Sequence, residues 1–192
     1  MRLPPGVAVG AATHTGLVRT NNEDDYLLGT VGEGATGVLL AGLADGIGGA
    51  AGGAEASRAA LRGLGAVVLD GDPAGGGGTP LDAADEDAVP FARRLLRDGF
   101  AAASERLREQ AAAVPHLAEM GTTMTAVLVG GDAVHFGHIG DTRLYLLRDG
   151  RARVCTTDHA AREPDNVLLR WLGGRGAKGK PEFGRQETAV GD

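Results

Sequence analysis

Cysteine is almost missing from this chain. The single Cys155 excludes an intramolecular disulfide and any zinc site built from several thiolates, and a chain that dispenses with both suits a reducing cytoplasm. Lysine is nearly as scarce, with Lys178 and Lys180 the two present. Lys and Arg together number 19 against 25 Asp and Glu, a net charge of −6. The arginines are scattered rather than gathered into a stripe, so neither nucleic acid nor an anionic membrane is an expected partner. No apolar run approaches the roughly 20 residues needed to cross a bilayer, and residues 1–5 carry no hydrophobic signal core.

What is present is enough for one globular domain: 192 residues with 43% hydrophobic content, expected as a single unit over 1–192. The most informative stretch is 41–57, where an apolar run delivers Asp45 into Gly46-Ile47-Gly48-Gly49 ahead of a helix-forming Ala/Glu/Ser/Arg segment. Glycine permits close backbone approach, so Asp45 and the Gly46 carbonyl can offer one charged and one neutral oxygen, a pair suited to Mg²⁺ or Mn²⁺ rather than zinc. An ordinary strand-to-helix turn with Asp45 as its cap fits the same residues. So does a G-x-G-x-x-A dinucleotide fingerprint over Gly46 to Ala51, with 66–70 as its second strand. In that reading Asp45 would face and repel the pyrophosphate.

Taken in order, Val7, Val9 and Ala11 alternate as a first short strand. Arg19-Thr20-Asn21-Asn22-Glu23-Asp24-Asp25 then packs a guanidinium and three carboxylates into seven residues, ahead of a second strand at Tyr26-Leu27-Leu28. Two adjacent strands with acids at their ends can bring Asp24 and Asp45 together. A helix is expected over 54–68, packed by Ala59, Leu61, Leu64 and Val68, and a second over 87–113, with Phe91, Leu95, Leu96 and Phe100 as its apolar stripe and Pro115 as its stop. Between them the Gly-rich segment 70–84 reads as a flexible loop.

From Gly121 the period switches to two. Strands are expected at 122–129, 133–139, 143–147 and 152–156, joined antiparallel, with Asp149-Gly150 a strong hairpin signal. His135 and His138, three apart in a strand, point to opposite faces and read as packing or surface residues rather than joint ligands. No Ser or Cys sits near a histidine in a triad-like arrangement.

Four segments lie in a recognisable order: Gly16-Leu-Val-Arg19-Thr-Asn-Asn-Glu23-Asp24, Ala44-Asp45-Gly46-Ile47-Gly48-Gly49, Gly121-Thr122-Thr123 and Gly140-Asp141-Thr142-Arg143-Leu-Tyr145. The set resembles the bacterial metal-dependent serine/threonine protein phosphatases of the PPM (PP2C) family. Thr157-Asp158-His159 and 166–173 resemble the next two segments. The resemblance implies an α+β fold, a four-layer α-β-β-α sandwich of two antiparallel sheets flanked by helices, with metals at one end. It implies that Asp45 bridges two Mn²⁺ or Mg²⁺ ions and that the Gly46 carbonyl binds one of them. By the same resemblance Glu23 and Asp24 are expected to bind metal or its waters, Arg19 matches the phosphate-binding arginine, and Asp141 matches an aspartate linked to a third, weaker ion. Ile47 stands where eukaryotic relatives have a histidine.

The implied reaction is hydrolysis of phosphoserine and phosphothreonine in proteins by a metal-activated water, without a phosphoenzyme. A cognate Ser/Thr kinase is a further expected partner, and the alternative is a non-catalytic PP2C-like module that binds a kinase or phosphoprotein. Two departures from the family pattern shape the expectation. The segment over the site is short, at 160–165. No match follows Gly191-Asp192 for the family's Ser-Asp-Gly and Asp-Asn motifs, so a domain lacking its last strands, with weak or no activity alone, is expected.

Overall fold

The computed structural model describes residues 3, 4, 6–32, 37–47, 49–70, 88–161 and 167–189. Strand β2 (Val38–Ile47) is its axis. β1 (Asp24–Val31) pairs with β2 along its whole length, while β4 (Met124–Gly130) pairs with Leu39 to Leu43 and β3 (Gly121–Thr122) with Gly46 and Ile47. β5 (Ala133–Ile139), β8 (Leu172–Gly173) and β9 (Glu182–Glu187) complete a seven-stranded sheet, ordered β8-β3-β2-β4-β5-β9 with β1 on β2's other edge. Every pairing is antiparallel.

Alternation along β2 decides where the core lies. Leu40 and Ala44 are fully buried, and Leu61 and Leu64 of helix α1 (Gly49–Val68) fill the space over Gly42 between them. Their cross-strand neighbours Ala126 and Leu128 are buried with them. Helix α2 (Ala88–Ala113) packs against α1 and the sheet. Among its described residues the buried hydrophobic ones are Ala92, Leu96, Phe100, Ala103, Leu107 and Ala111, steps of three and four that keep one stripe inward. Phe100 meets Phe183 of β9 edge-on, with ring centroids 5.6 Å apart. Burying one such leucine or phenylalanine stabilises by about 1.5–3 kcal/mol.

The expected helices and most expected strands are present. The expected stripe of α2 is half right: Leu96 and Phe100 lie on it, while Phe91 and Leu95 lie beside it and are only partly buried. α1 begins earlier than its Ala/Leu pattern suggested, running back through the glycines to Gly49. Residues 7–15 form no ladder. Alternation alone does not supply the partner edge that a strand needs.

The expected meander also breaks after β5. At Gly140 the backbone takes φ +110° and leaves the sheet, so β5 finds β9 as its neighbour, and β6 (Tyr145–Arg148) pairs with β7 (Arg151–Val154) alone. Asp149 (φ 51°) and Gly150 (φ 71°) close this second sheet with the left-handed pair of a tight hairpin. Two antiparallel sheets and helices are thus present, and both described helices cover the same face of the larger sheet. On the dinucleotide reading the structure is decisive: no parallel pair exists among the described strands, and residues 66–68 are the end of α1 rather than a strand. The Gly-rich segment 71–84, the short segment at 162–165 and Gly191-Asp192 lie outside the described residues. Among the described residues no helix is long and apolar enough to cross a membrane.

Candidate metal and phosphate site

The register of β1 on β2 sets Asp24 directly opposite Asp45. Residues paired across a ladder share a face, and this face is the one turned away from the helices. Two like charges so placed repel. The result is visible in Asp45, whose carboxyl is pushed up to about 6, first by partial burial, then by the charges of Asp24 and Asp141 and a hydrogen bond with Asp24; Arg19 pulls the other way. Carboxylates from two other segments therefore act on Asp45 at one end of the sheet.

The strand end is held by hydroxyls. Thr123 N–H donates to the Asp45 carbonyl at 2.9 Å, and the Asp45 N–H donates to Thr123 Oγ1 at 3.2 Å. Thr122 Oγ1 also donates to the Asp45 carbonyl, at 2.9 Å. Both threonines are fully buried. The motif match at Gly121-Thr122-Thr123 gave these residues no role. The signal that could have given one is a hydroxyl pair at the break between β3 and β4, where the ladder cannot supply the bonds.

Glu23 goes elsewhere. Its side chain is 6% exposed and pairs with Arg19, and its carboxylate lies where a Cβ on Gly53 of α1 would be 2.9 Å away. A Cβ on Gly46 would come within 2.0 Å of the Gly53 carbonyl, so glycine at this position is what lets the end of β2 close onto α1. The Gly46 N–H donates to the Glu23 carbonyl at 3.0 Å. Glu23 and Gly46 thus meet on the helix side of the sheet, and Asp24 and Asp45 on the other. Arg19 itself is 69% exposed. Among the described residues no three His, Cys, Asp or Glu side chains converge closely enough to form a ready metal cage. The donors present are acidic oxygens at an exposed strand end, a chemistry that fits Mg²⁺ or Mn²⁺ with water completing the shell.

The family model described as protein phosphatase 2C matches residues 14–168. The chain belongs to this family. Among curated protein phosphatase 2C relatives, the serine/threonine protein phosphatase PstP of Mycobacterium tuberculosis is 38% identical over 148 residues, covering 77% of this chain and 24% of PstP. The protein phosphatase PhpP of Streptococcus pneumoniae is 28% identical over 152 residues, covering 79% of this chain and 55% of PhpP. The chain thus spans about a quarter of one relative and about half of the other. The solved catalytic domain of PstP in complex with two manganese ions superposes with a TM-score of 0.69 at 31% identity, covering 92% of this chain and 70% of that one. A serine/threonine phosphatase from S. agalactiae gives the same TM-score at 25% identity, with 93% of this chain and 73% of that one covered.

His135 and His138 of this protein phosphatase 2C domain are buried, at 5% and 1% exposure. Burial holds both below the ordinary imidazole range. They face opposite sides of β5, as their spacing requires, and neither joins the carboxylates.

Proposed function

We propose that this domain takes part in metal-dependent hydrolysis of phosphoserine and phosphothreonine esters in proteins. The observation that carries the proposal is the opposition of Asp24 and Asp45 across one ladder, with Asp141 close enough to raise Asp45 further. Carboxylates whose mutual repulsion outweighs the nearby charge of Arg19 favour a cation, and the cation removes the repulsion when it binds. Asp45 and Asp24 are the residues that would hold Mn²⁺ or Mg²⁺, with the Gly46 carbonyl as a neutral donor. Glu23 serves waters or Arg19, and Asp141 a further, weaker ion. A bound divalent ion acidifies water and offsets charge on phosphoryl oxygens.

Arg19 is the phosphate-binding group in this reading. Its guanidinium is exposed and rests on Glu23, from which it can turn to donate hydrogen bonds to phosphoryl oxygens while Glu23 remains buried behind it. Charge-assisted contacts of this kind contribute roughly 1.5–3 kcal/mol. In this reading phosphorus is attacked by a water that the ion activates, as the phosphatase 2C resemblance implies. The reaction that supplies the substrate is phosphoryl transfer to Ser or Thr by a protein kinase, and a free Cys155 suits the reducing cytoplasm where such exchange occurs.

A second reading is favoured by one observation. With no three-donor cage among the described residues, an ion is held weakly, and a domain that recognises phosphorylated partners without turning them over fits as well. Calorimetry with Mn²⁺, alongside hydrolysis of p-nitrophenyl phosphate and a phosphothreonine peptide, separates the two. Asp45→Asn and Asp24→Asn are expected to weaken Mn²⁺ binding far more than Asp149→Asn on the distant hairpin. Equal effects at all three positions would remove the metal assignment. Phosphopeptide binding without Mn²⁺-dependent turnover would favour the recognition module.

A further inference from the structure

Asp141 follows Gly140, whose backbone turns at φ +110° and packs so closely on Thr123 that a Cβ there would lie 2.4 Å from it, so the place of the Asp141 carboxylate depends on how the residues on either side of this turn are held. We propose that Asp158 and His159 together form the positioning pair that fixes Asp141, gripping the backbone before it and the side chain after it. The inference rests on the reading of Asp141 as a ligand of the weaker ion.

The grip has two sides. Before Asp141, the His159 N–H donates to the Gly140 carbonyl at 2.7 Å, and the Gly140 N–H donates to His159 Nδ1 at 3.1 Å. After it, Arg143 Nε donates to Asp158 Oδ1 at 2.8 Å, and a second guanidinium nitrogen of Arg143 donates to Asp158 Oδ2. A bidentate guanidinium–carboxylate pair fixes orientation as well as distance. The lacing continues beyond, with Cys155 N–H on the Leu144 carbonyl at 2.8 Å and Leu144 N–H on Thr156 Oγ1 at 3.2 Å.

His159 is itself held. It is 5% exposed, and its ring lies 4.8 Å from that of His138. Since Nδ1 accepts from Gly140, the ring hydrogen belongs on Nε2, which stands 3.1 Å from Glu182 Oε1 on β9. Arg170 bonds the same Glu182 oxygen at 2.7 Å. His138 Nε2 in turn donates to the Thr157 carbonyl at 3.1 Å. The turn carrying Asp141 is thereby tied to β5 and β9, two strands of the large sheet. A phenylalanine at 159 would fill the same space but leave the buried Gly140 N–H without an acceptor. The placement of a hydrogen-bonding ring here is therefore specific to the turn, beyond filling volume.

Amide hydrogen exchange of the metal-free 192-residue chain tests the pair. His159→Phe and Asp158→Asn are each expected to speed exchange at the Gly140 and Thr142 amides at least tenfold. His159→Asn, whose side-chain oxygen can take the place of Nδ1, should stay within about threefold of the parent. Mn²⁺ titration followed by electron paramagnetic resonance should show the weaker binding class reduced several-fold in the first two variants and in Asp141→Asn, and retained in His159→Asn. Should His159→Phe fail to fold, the partly exposed Asp158→Asn carries the test by itself. Unchanged exchange in Asp158→Asn, or identical behaviour of His159→Phe and His159→Asn, overturns the pair. Asp141→Asn without effect on Mn²⁺ overturns the metal reading instead, because the exchange measurement needs no metal.

Discussion

The two faces of the central sheet have the same strands and opposite fates. On the helix side, Leu40, Leu64, Ala126 and Leu128 are at most 1% exposed. On the other, the cross-strand pair Tyr26 and Leu43 is exposed at 42% and 46%, and the carboxylates of Asp24 and Asp45 lie one pair further along. The covered face supplies stability by excluding water. The open face keeps its acids wet enough to remain chargeable and close enough to repel one another. One ladder, by alternating, does both.

Breaking the covered face should have the largest effect. Leu64→Ala leaves a void against Gly42 and α2, and unfolding in urea is expected to show a loss of about 2–5 kcal/mol. A loss below about 1 kcal/mol would mean the helix side is loosely packed and the contrast between faces is shallow.

Next in size is the pH response of the open face. Asp45 has its carboxyl raised from 3.8 to about 6, so between those values the folded chain binds protons that the unfolded chain does not. Its contribution therefore makes the metal-free fold less stable as pH rises from about 4 to about 6. Fully buried, such a shift would correspond to ~3 kcal/mol; at an exposed strand end solvent screening reduces it to about 1 kcal/mol. The depressed His135 and His138 act with the opposite sign, losing stability as pH falls below their ordinary 6.5. Comparing urea midpoints of the parent and Asp45→Asn across pH 4 to 7 isolates the carboxylate. The parent alone should gain from added Mn²⁺ at pH 7.

Arg19→Ala sharpens the assignment within the open face. In a catalytically competent form of the domain it is expected to raise KM for a phosphothreonine peptide by at least about tenfold, the effect of losing roughly 1.5–3 kcal/mol of charge-assisted binding. Unchanged KM and kcat would leave Arg19 as a partner of Glu23 and nothing more. The smallest effect is expected from Leu43→Ser, within about 0.5 kcal/mol of the parent in urea unfolding. A large loss would show that this face is covered after all.

Much of this was legible beforehand, and the failures share a cause. Helix α2 could be read because its apolar residues recur every three or four positions. Asp45 stood out as an acid between an apolar run and glycines, a pattern that a plain helix-capping turn fits as well. Glu23 and Asp24 could not be told apart, since adjacency in sequence says nothing of which face each takes until the ladder fixes a register. The expected strand over Val7 to Ala11 lacked a partner edge, and a period of two does not reveal one. The departure of the chain at Gly140 was invisible because Gly-Asp also fits a simple turn between paired strands.

The amino-acid sequence by itself determined the local periods, the hairpin at Asp149-Gly150, the single-cysteine chemistry and the identity of the acids. These depend on neighbours a few residues apart, whose preferences act before any fold exists. Tertiary structure alone decided that Asp24 faces Asp45, that Glu23 turns to Arg19 and α1, that Thr122 and Thr123 hold the Asp45 backbone, and that His159 reaches Gly140 from 19 residues away. Such pairings follow from strand register and from buried groups seeking bond partners. Both are settled only when the whole sheet closes.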